Sequence, residues 1–306
     1  MASRTARPSL HALTLRLGAM LLLGALSLGA VGCSHSAAGG VRVVASFYPL
    51  AWAAERVGGS RVSVEDLTPP GVDAHDTSLS ARQRADLETA DLVLVLGDFG
   101  FQPEVERAAS DASGVVVEVA RGLALTPSGE ANLEFDPHVW LDPVLMEGIV
   151  REVAGGLVRA DPAGRSGYRR REAATLRDLT ALDGAYRTGL AACRFRTLVT
   201  THEAFGYLAA RYGLTQLGIE GLTPESEPAA ARIQAAVDAI RSGAAAPAVF
   251  FESTAEGRRV GESVAADIGV PALPLGTLES VPTSGDYLSV MRANLSSLQE
   301  GLQCPS

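Results

Sequence analysis

What this chain has little of narrows its chemistry first. Lys and Arg number 26 against 35 Asp and Glu, a net charge of −9. No basic surplus is available for a nucleic-acid face, so a nucleic-acid partner is not expected. A divalent cation suits this balance, although many proteins are equally acidic. After the first 32 residues no apolar run reaches the roughly 20 residues of a membrane helix. No G-x-x-x-x-G-K-[ST] phosphate loop occurs, so ATP hydrolysis is not expected of this chain. No H-E-x-x-H helix pair occurs either: His202-Glu203 runs on into Ala204-Phe205-Gly206. That weakens the reading as a zinc hydrolase, in which Glu203 or Glu252 would act as base beside an activated water. Cysteines number three and histidines five, few enough to be considered one by one.

The N-terminus carries Arg4, Arg7 and Arg16 ahead of an apolar run from Leu17 to Gly32, the pattern of a secretory signal peptide. It ends in Ala30-Val31-Gly32-Cys33, which resembles a bacterial lipobox with Ala in place of the usual Leu. Cys33 is therefore the expected lipidation site, and residues 33–40 the tether; an ordinary cleaved signal is the alternative. With Cys33 lipidated, Cys193 and Cys304 remain as an even pair in an oxidising compartment, where a disulfide between them is expected. Two separate thiols are the other possibility. The mature protein is expected to be soluble, monomeric and held by its lipid to the outer face of the cytoplasmic membrane.

Beyond residue 40 strand and helix patterns alternate. Val41–Ser46, Arg61–Leu67, Leu92–Leu96 and Gly114–Val119 are apolar or β-branched runs separated by helical stretches. This is the rhythm of a parallel sheet covered by helices. Pro143 to about Ala160 and about Ser166 to Ala192 then read as helices with no strand between. The second is long enough, at about 40 Å, to serve as a strut between two lobes. The alternation returns with strands at Thr197–Thr201, Ala248–Glu252 and Val270–Leu275 and helices at Glu203–Tyr212, from Pro228, at Arg258–Ile268 and from about Asp286. The expected fold is α/β: two lobes, each a mainly parallel sheet flanked by helices, joined by one long helix.

His11 falls in the signal and His35 in the tether, leaving His75, His138 and His202. Each lies in a loop or at a strand end, where ligands collect in α/β sheets. Three neutral imidazoles leave one position of a zinc tetrahedron open. Asp73, Asp76, Asp136, Asp142 and Glu203 lie near them in sequence and could orient the rings. Taken singly, each His is more readily a polar surface residue than a ligand.

The segments around these residues carry a resemblance. ASFYPLAW, PPGVDAHDTSLSARQRADLETADLVLVLG, FDPHVWLDP, THEAFGYLAARYGL, VFFES and GDYLSVMRANLSSLQEGL occur in this order. Together they resemble the zinc/manganese substrate-binding proteins of ATP-driven metal importers. The resemblance implies a metal held between two lobes by His75, His138 and His202, with a membrane permease and a separate ATPase subunit as partners. Capture and delivery, rather than catalysis, is the implied function. His at the third position implies zinc; manganese-type members generally place Glu there. The Asp that members commonly carry near the last strand is replaced by Gly276, so the fourth ligand is expected to be Glu279 or water, with Glu252 a further candidate. The His-rich loop of many zinc members has no counterpart in Gly122–Glu134. The expected boundaries are 1–32 (signal), 33–40 (tether), 41–163 (N-terminal lobe), 164–192 (linker helix) and 193–306 (C-terminal lobe). An added role as a surface adhesin is left open.

Overall fold

The computed structural model describes residues 40–223 and 230–305. The signal, Cys33, His11, His35 and the helix start at Pro228 lie outside the described residues. Two four-stranded parallel sheets organise the chain. The first has the order β2-β1-β3-β4, built from β1 (Val41–Ala45), β2 (Val62–Asp66), β3 (Leu92–Val95) and β4 (Val115–Glu118). The second has the order β10-β9-β7-β8, from β7 (Thr197–Thr200), β8 (Thr215–Gly218), β9 (Val249–Phe251) and β10 (Ala272–Pro274). In chain order the two sheets share one winding, with the first strand beside the third.

The central strands β3 and β9 are wholly apolar because both faces of each sheet are covered. Val43, Ala45, Leu92 and Leu94 point into a core that Leu198, Phe250 and Leu273 of the other sheet also enter. The alternate residues Val44, Val93 and Val95 pack outward under α2 (Ala81–Thr89) and α3 (Pro103–Ala109). Val199 and Val249 pack outward under α7 (Ala230–Arg241) and α8 (Ala255–Ile268). The inner core is thus shared between the sheets and is completed by α1 (Tyr48–Gly58), α4 (Pro143–Ala160) and α9 (Tyr287–Gly301).

The long helix α5 spans Arg165–Leu190, close to the range read from sequence. Tyr168, Leu179, Leu182, Tyr186 and Leu190 form its buried stripe. Arg171 donates to the carbonyls of Val57 and Gly58 at the end of α1, at 2.6 Å each, and the Tyr186 hydroxyl donates to Met291 O of α9 at 2.7 Å. The helix therefore grips both halves. Among the described residues no helix is long and apolar enough to cross a membrane.

Two elements escape the sequence pattern. A short antiparallel hairpin, β5 (Pro127–Glu130) and β6 (Leu133–Phe135), lies where only a loop is read, and β8 is short and polar. The helix expected over Glu203–Tyr212 begins only at Gly206, giving α6 (Gly206–Arg211). Thr201 N instead bonds Phe250 O and Glu203 N bonds Gly221 O, so the sheet holds this stretch away from a helical path.

Cys193 and Cys304 form a disulfide that closes a span of 111 positions and fastens the chain beyond α9 to the approach of β7. A closed loop of that size removes much entropy from the unfolded chain. Replacing both cysteines by Ser is expected to cost about 2–5 kcal/mol of unfolding free energy, read from the shift of the denaturant midpoint.

Candidate metal centre

His75, His138, His202 and Glu279 converge on one point: one donor atom from each lies within 4.8 Å of the others. They arrive from four segments. His75 sits in a single 3-10 turn, Ala74–Asp76, capped by Asp73, whose Oδ1 accepts from His75 N at 2.8 Å. His138 precedes the turn Val139–Leu141 that leads into α4. His202 lies just beyond β7, at the point where the winding of the second sheet reverses between β7 and β9, the position at which such sheets open a crevice. Glu279 follows β10 in a segment bound on several sides.

The ring orientations are fixed from behind. His138 Nδ1 lies 2.8 Å from Asp136 Oδ1, and His202 Nδ1 lies 3.1 Å from the carbonyl of Gly221. A carbonyl can only accept, so Nδ1 of His202 carries the hydrogen and Nε2 keeps its lone pair. Nε2 of His138 and Nε2 of His202 face each other at 3.1 Å, and Glu279 Oε1 lies 3.5 Å from the first and 3.4 Å from the second. Nε2 of His75 and both Glu279 oxygens are buried without a hydrogen-bond partner of normal geometry. His138, His202 and Glu279 are all 2% exposed or less. With both rings neutral, two lone pairs would face each other beside a buried carboxylate, so a positive charge, a proton or a cation, is needed between them.

The proton equilibria follow from this crowding. Burial holds the His75 imidazole neutral, lowering its pKa to about 3. Burial would do the same to His138, but hydrogen bonds and charge from Asp136 and Glu279 outweigh it and raise it to about 9. Burial opposes the charge on Glu279, yet the facing imidazoles of His138 and His202 hold it well below the usual carboxylate range. Asp73 is pushed up to about 10 by burial and then by the charge of Glu279, and Glu252 is raised for the same two reasons.

Gly276 does not leave a gap in this set. A Cβ at Gly276 would meet Val290 Cγ1 of α9 at 2.9 Å, so a side chain there would press on that helix. Gly276 supplies no side-chain donor, and the carboxylate beside the imidazoles is that of Glu279. Gly276 is pinned both ways by Asn294, at 2.8 Å each, and Trp140 Nε1 donates to Thr277 O at 2.7 Å. Leu278 then takes φ 62°, a left-handed conformation strained for a branched side chain, which turns the chain into Glu279. Glu252 lies outside the four-residue group; its Oε1 accepts from Thr277 Oγ1, and it forms a second close group with Asp73 and Glu279.

The other carboxylates divide by role. Asp136 orients His138, and Asp73 caps the His75 turn. Asp142 caps α4 and pairs with Arg211, Glu203 pairs with Arg232, and Asp76 is exposed. Sequence reasoning missed the Gly221 carbonyl, since a backbone acceptor leaves no residue signature. It also missed Trp140, whose ring centroid lies 5.2 Å from that of His138 while its indole reaches the Glu279 segment. Trp140→Phe keeps the packing but strands the buried Thr277 carbonyl. It is expected to cost about 1–3 kcal/mol in chemical denaturation.

Comparison with known proteins identifies the family. A high-affinity zinc uptake system protein, ZnuA, of Bacillus subtilis is 29% identical over 290 residues, 89% of this chain and 90% of that protein. The zinc-binding lipoprotein AdcA of Streptococcus pneumoniae is 30% identical over 302 residues, 92% of this chain but only 60% of the lipoprotein. The crystal structure of the Zn(II)-bound ZnuA-like domain of that AdcA superposes with a TM-score of 0.75 at 29% identity, covering 86% of this chain and 99% of the domain. Residues 43–301 match the family model described as zinc-uptake complex component A, periplasmic, and the chain belongs to that family.

Proposed function

We propose that this protein is the extracytoplasmic zinc-binding component of an ATP-driven importer, with His75, His138, His202 and Glu279 as the zinc ligands. The observation that carries the reading is the convergence of three imidazoles and one carboxylate on one point, with His75 Nε2 and both Glu279 oxygens buried and unpaired. A tetrahedral zinc with Zn–N near 2.05 Å has ligand-to-ligand edges of about 3.3 Å. The separations of 3.1, 3.4 and 3.5 Å bracket that value. Three imidazoles to one carboxylate suit zinc better than manganese, which prefers oxygen-rich sets.

Zinc is cargo here, taken up between the lobes and passed to a membrane permease whose ATPase subunit supplies the energy. A lipid on Cys33 would keep the monomeric receptor beside its permease, and the lipoprotein name of AdcA supports that anchor. The proposed domain limits are those read from sequence: a signal over 1–32, a tether over 33–40, lobes over 41–163 and 193–306, and the linker helix over 164–192. The shared inner core and the grip of α5 on α1 and α9 favour a small local change on loading over wide opening.

One zinc per chain is expected for the chelator-stripped mature protein, with manganese a weak competitor. His202→Ala should weaken zinc binding by at least about a hundredfold, since loss of even an outer-shell partner costs about 10–100-fold. Zinc affinity indifferent to this change would exclude the site.

Binding must also displace the proton that His138 carries below about pH 9. Apparent affinity is therefore expected to fall about tenfold for each unit from pH 9 towards pH 6. Titration calorimetry at pH 7 in buffers of different ionisation enthalpy should report at least one proton released per zinc. No proton release, or equal affinity at pH 7 and pH 5, would contradict ligation through His138.

A further inference from the structure

The Nδ1–H of His202 donates to the carbonyl of Gly221 at 3.1 Å, and this bond sets which ring nitrogen faces the centre. The carbonyl is held in place by a residue outside the site. Gly221 lies just past the stretch that pairs with the end of β7, where Ile219 N and Glu220 N donate to the carbonyls of Thr200 and Thr201 at 2.9 and 2.8 Å. The N–H of the next residue, Leu222, donates to Glu130 Oε1 at 2.9 Å. That N–H and the Gly221 carbonyl belong to one peptide plane. In a trans peptide the two groups point to opposite sides. Glu130 therefore grips from one side the plane that His202 grips from the other. Its second oxygen, Oε2, accepts from Thr223 Oγ1 at 3.1 Å, so the carboxylate straddles two successive residues of this segment.

Glu130 is itself placed by the hairpin β5–β6. Gly129 turns the chain at φ 77°, Glu130 N donates to Ser128 Oγ at 2.9 Å, and Leu133, which pairs with Glu130, is buried. The base of the hairpin is tied to α6. Thr126 N donates to the Tyr207 hydroxyl, which donates to the carbonyl of Asp136, at 2.9 Å each. The hairpin precedes α4, whereas His202 and Gly221 follow α5, so the clasp crosses from one half of the chain to the other. Two further contacts bear on the same segment: Glu203 N donates to Gly221 O at 3.2 Å, and Arg232 Nη1 donates to Glu220 O at 3.0 Å. Both act on carbonyls. The N–H side of the Gly221–Leu222 plane is held by Glu130.

We infer that Glu130 is a positioning residue for metal capture: it fixes the Gly221–Leu222 peptide so that the carbonyl locks the His202 ring with Nε2 turned to the ion. A carboxylate behind a metal-bound imidazole is a common support. Here one peptide stands between the two. Because Glu130 and His202 come from different halves, separating the halves unlocks the ring and loosens the hold of His202 on the ion. The inference rests on the reading that zinc occupies the centre.

Three substitutions separate contact from charge. Glu130→Gln keeps an oxygen for Leu222 N and an amide for Thr223 Oγ1 but carries no charge. Glu130→Asp keeps the charge and ends one methylene short. Glu130→Ala keeps neither. The zinc Kd, from chelator competition, is expected to weaken at least about tenfold in the Ala and Asp variants and to stay within about threefold in Gln. In 15N-labelled protein the His202 Nδ1–H resonance, assigned by its absence from His202→Ala, should be visible in wild type and Gln. It should be lost to solvent exchange in Ala and Asp, with zinc and without it. Affinity unchanged in all three variants overturns the inference. A weakened Kd with the resonance retained would mean that the hairpin only staples the halves together, and overturns it as well. So does an Asp variant like wild type beside a Gln variant like Ala, which would mean charge acting at a distance. If the Ala variant folds poorly, the contrast between Asp and Gln carries the test. A wild-type chain that binds no zinc would sink the zinc reading itself, while the metal-free resonance would still decide whether Glu130 holds the ring.

Discussion

Everything in the cleft depends on a positive charge held among its buried donors. Glu279 is buried, lacks a normal hydrogen bond on either oxygen, and faces the Nε2 atoms of His138 and His202. A buried carboxylate in that position is costly without a counter-charge, and protons on the imidazoles are the only one the side chains can provide. A tetrahedral cation settles the conflict better, because it satisfies all the donors at once. The arrangement is costly in the metal-free state, and this cost makes it selective for a small, highly charged guest.

The scaffold bears that cost through links that cross between the sheets. Trp140 is central. Its indole ring packs near His138, its Nε1 holds the Thr277 carbonyl, and its own carbonyl accepts from the Tyr287 hydroxyl at 2.6 Å. Leu278 can persist at φ 62° because Asn294, Trp140 and Glu252 over-determine the residues just before it. One aromatic residue thus sets the distance between His138 of the first half and Glu279 of the second. The long helix acts more coarsely, by fixing where α1 and α9 sit.

Much of this was legible in the sequence, and for physical reasons. Fully apolar strands such as Leu92–Val95 and regular helical stripes such as that of α5 signal burial on two faces or one, so the layers and the strut could be read directly. The disulfide followed from parity and compartment. The three histidines were found because the residues around them form recognisable segments. The hairpin β5–β6 and strand β8 were not found, since both are short and carry Gly, Ser or Gln where a strand pattern needs apolar alternation. Nor could spacing settle the carboxylate. Gly276 and Glu279 lie three residues apart, and only the left-handed turn at Leu278 and the wall formed by Val290 decide which position faces the histidines.

Burial that makes the site tight also poses its transport problem. A centre whose deepest side chains are nearly inaccessible exchanges an ion slowly by simple dissociation, because every departing donor has to be replaced by water that has little room to enter. Two routes remain. A partner can pull the lobes apart, breaking links such as Trp140 to Thr277 and moving Glu279 away from the imidazoles in one motion. Or Glu279 can withdraw alone, leaving the imidazoles in place. The strained turn at Leu278 serves both routes: it holds Glu279 in a conformation from which relaxation, rather than forced distortion, moves the carboxylate. Tight capture and timely release can then coexist, because the residue that completes the site is also the one held least comfortably in place.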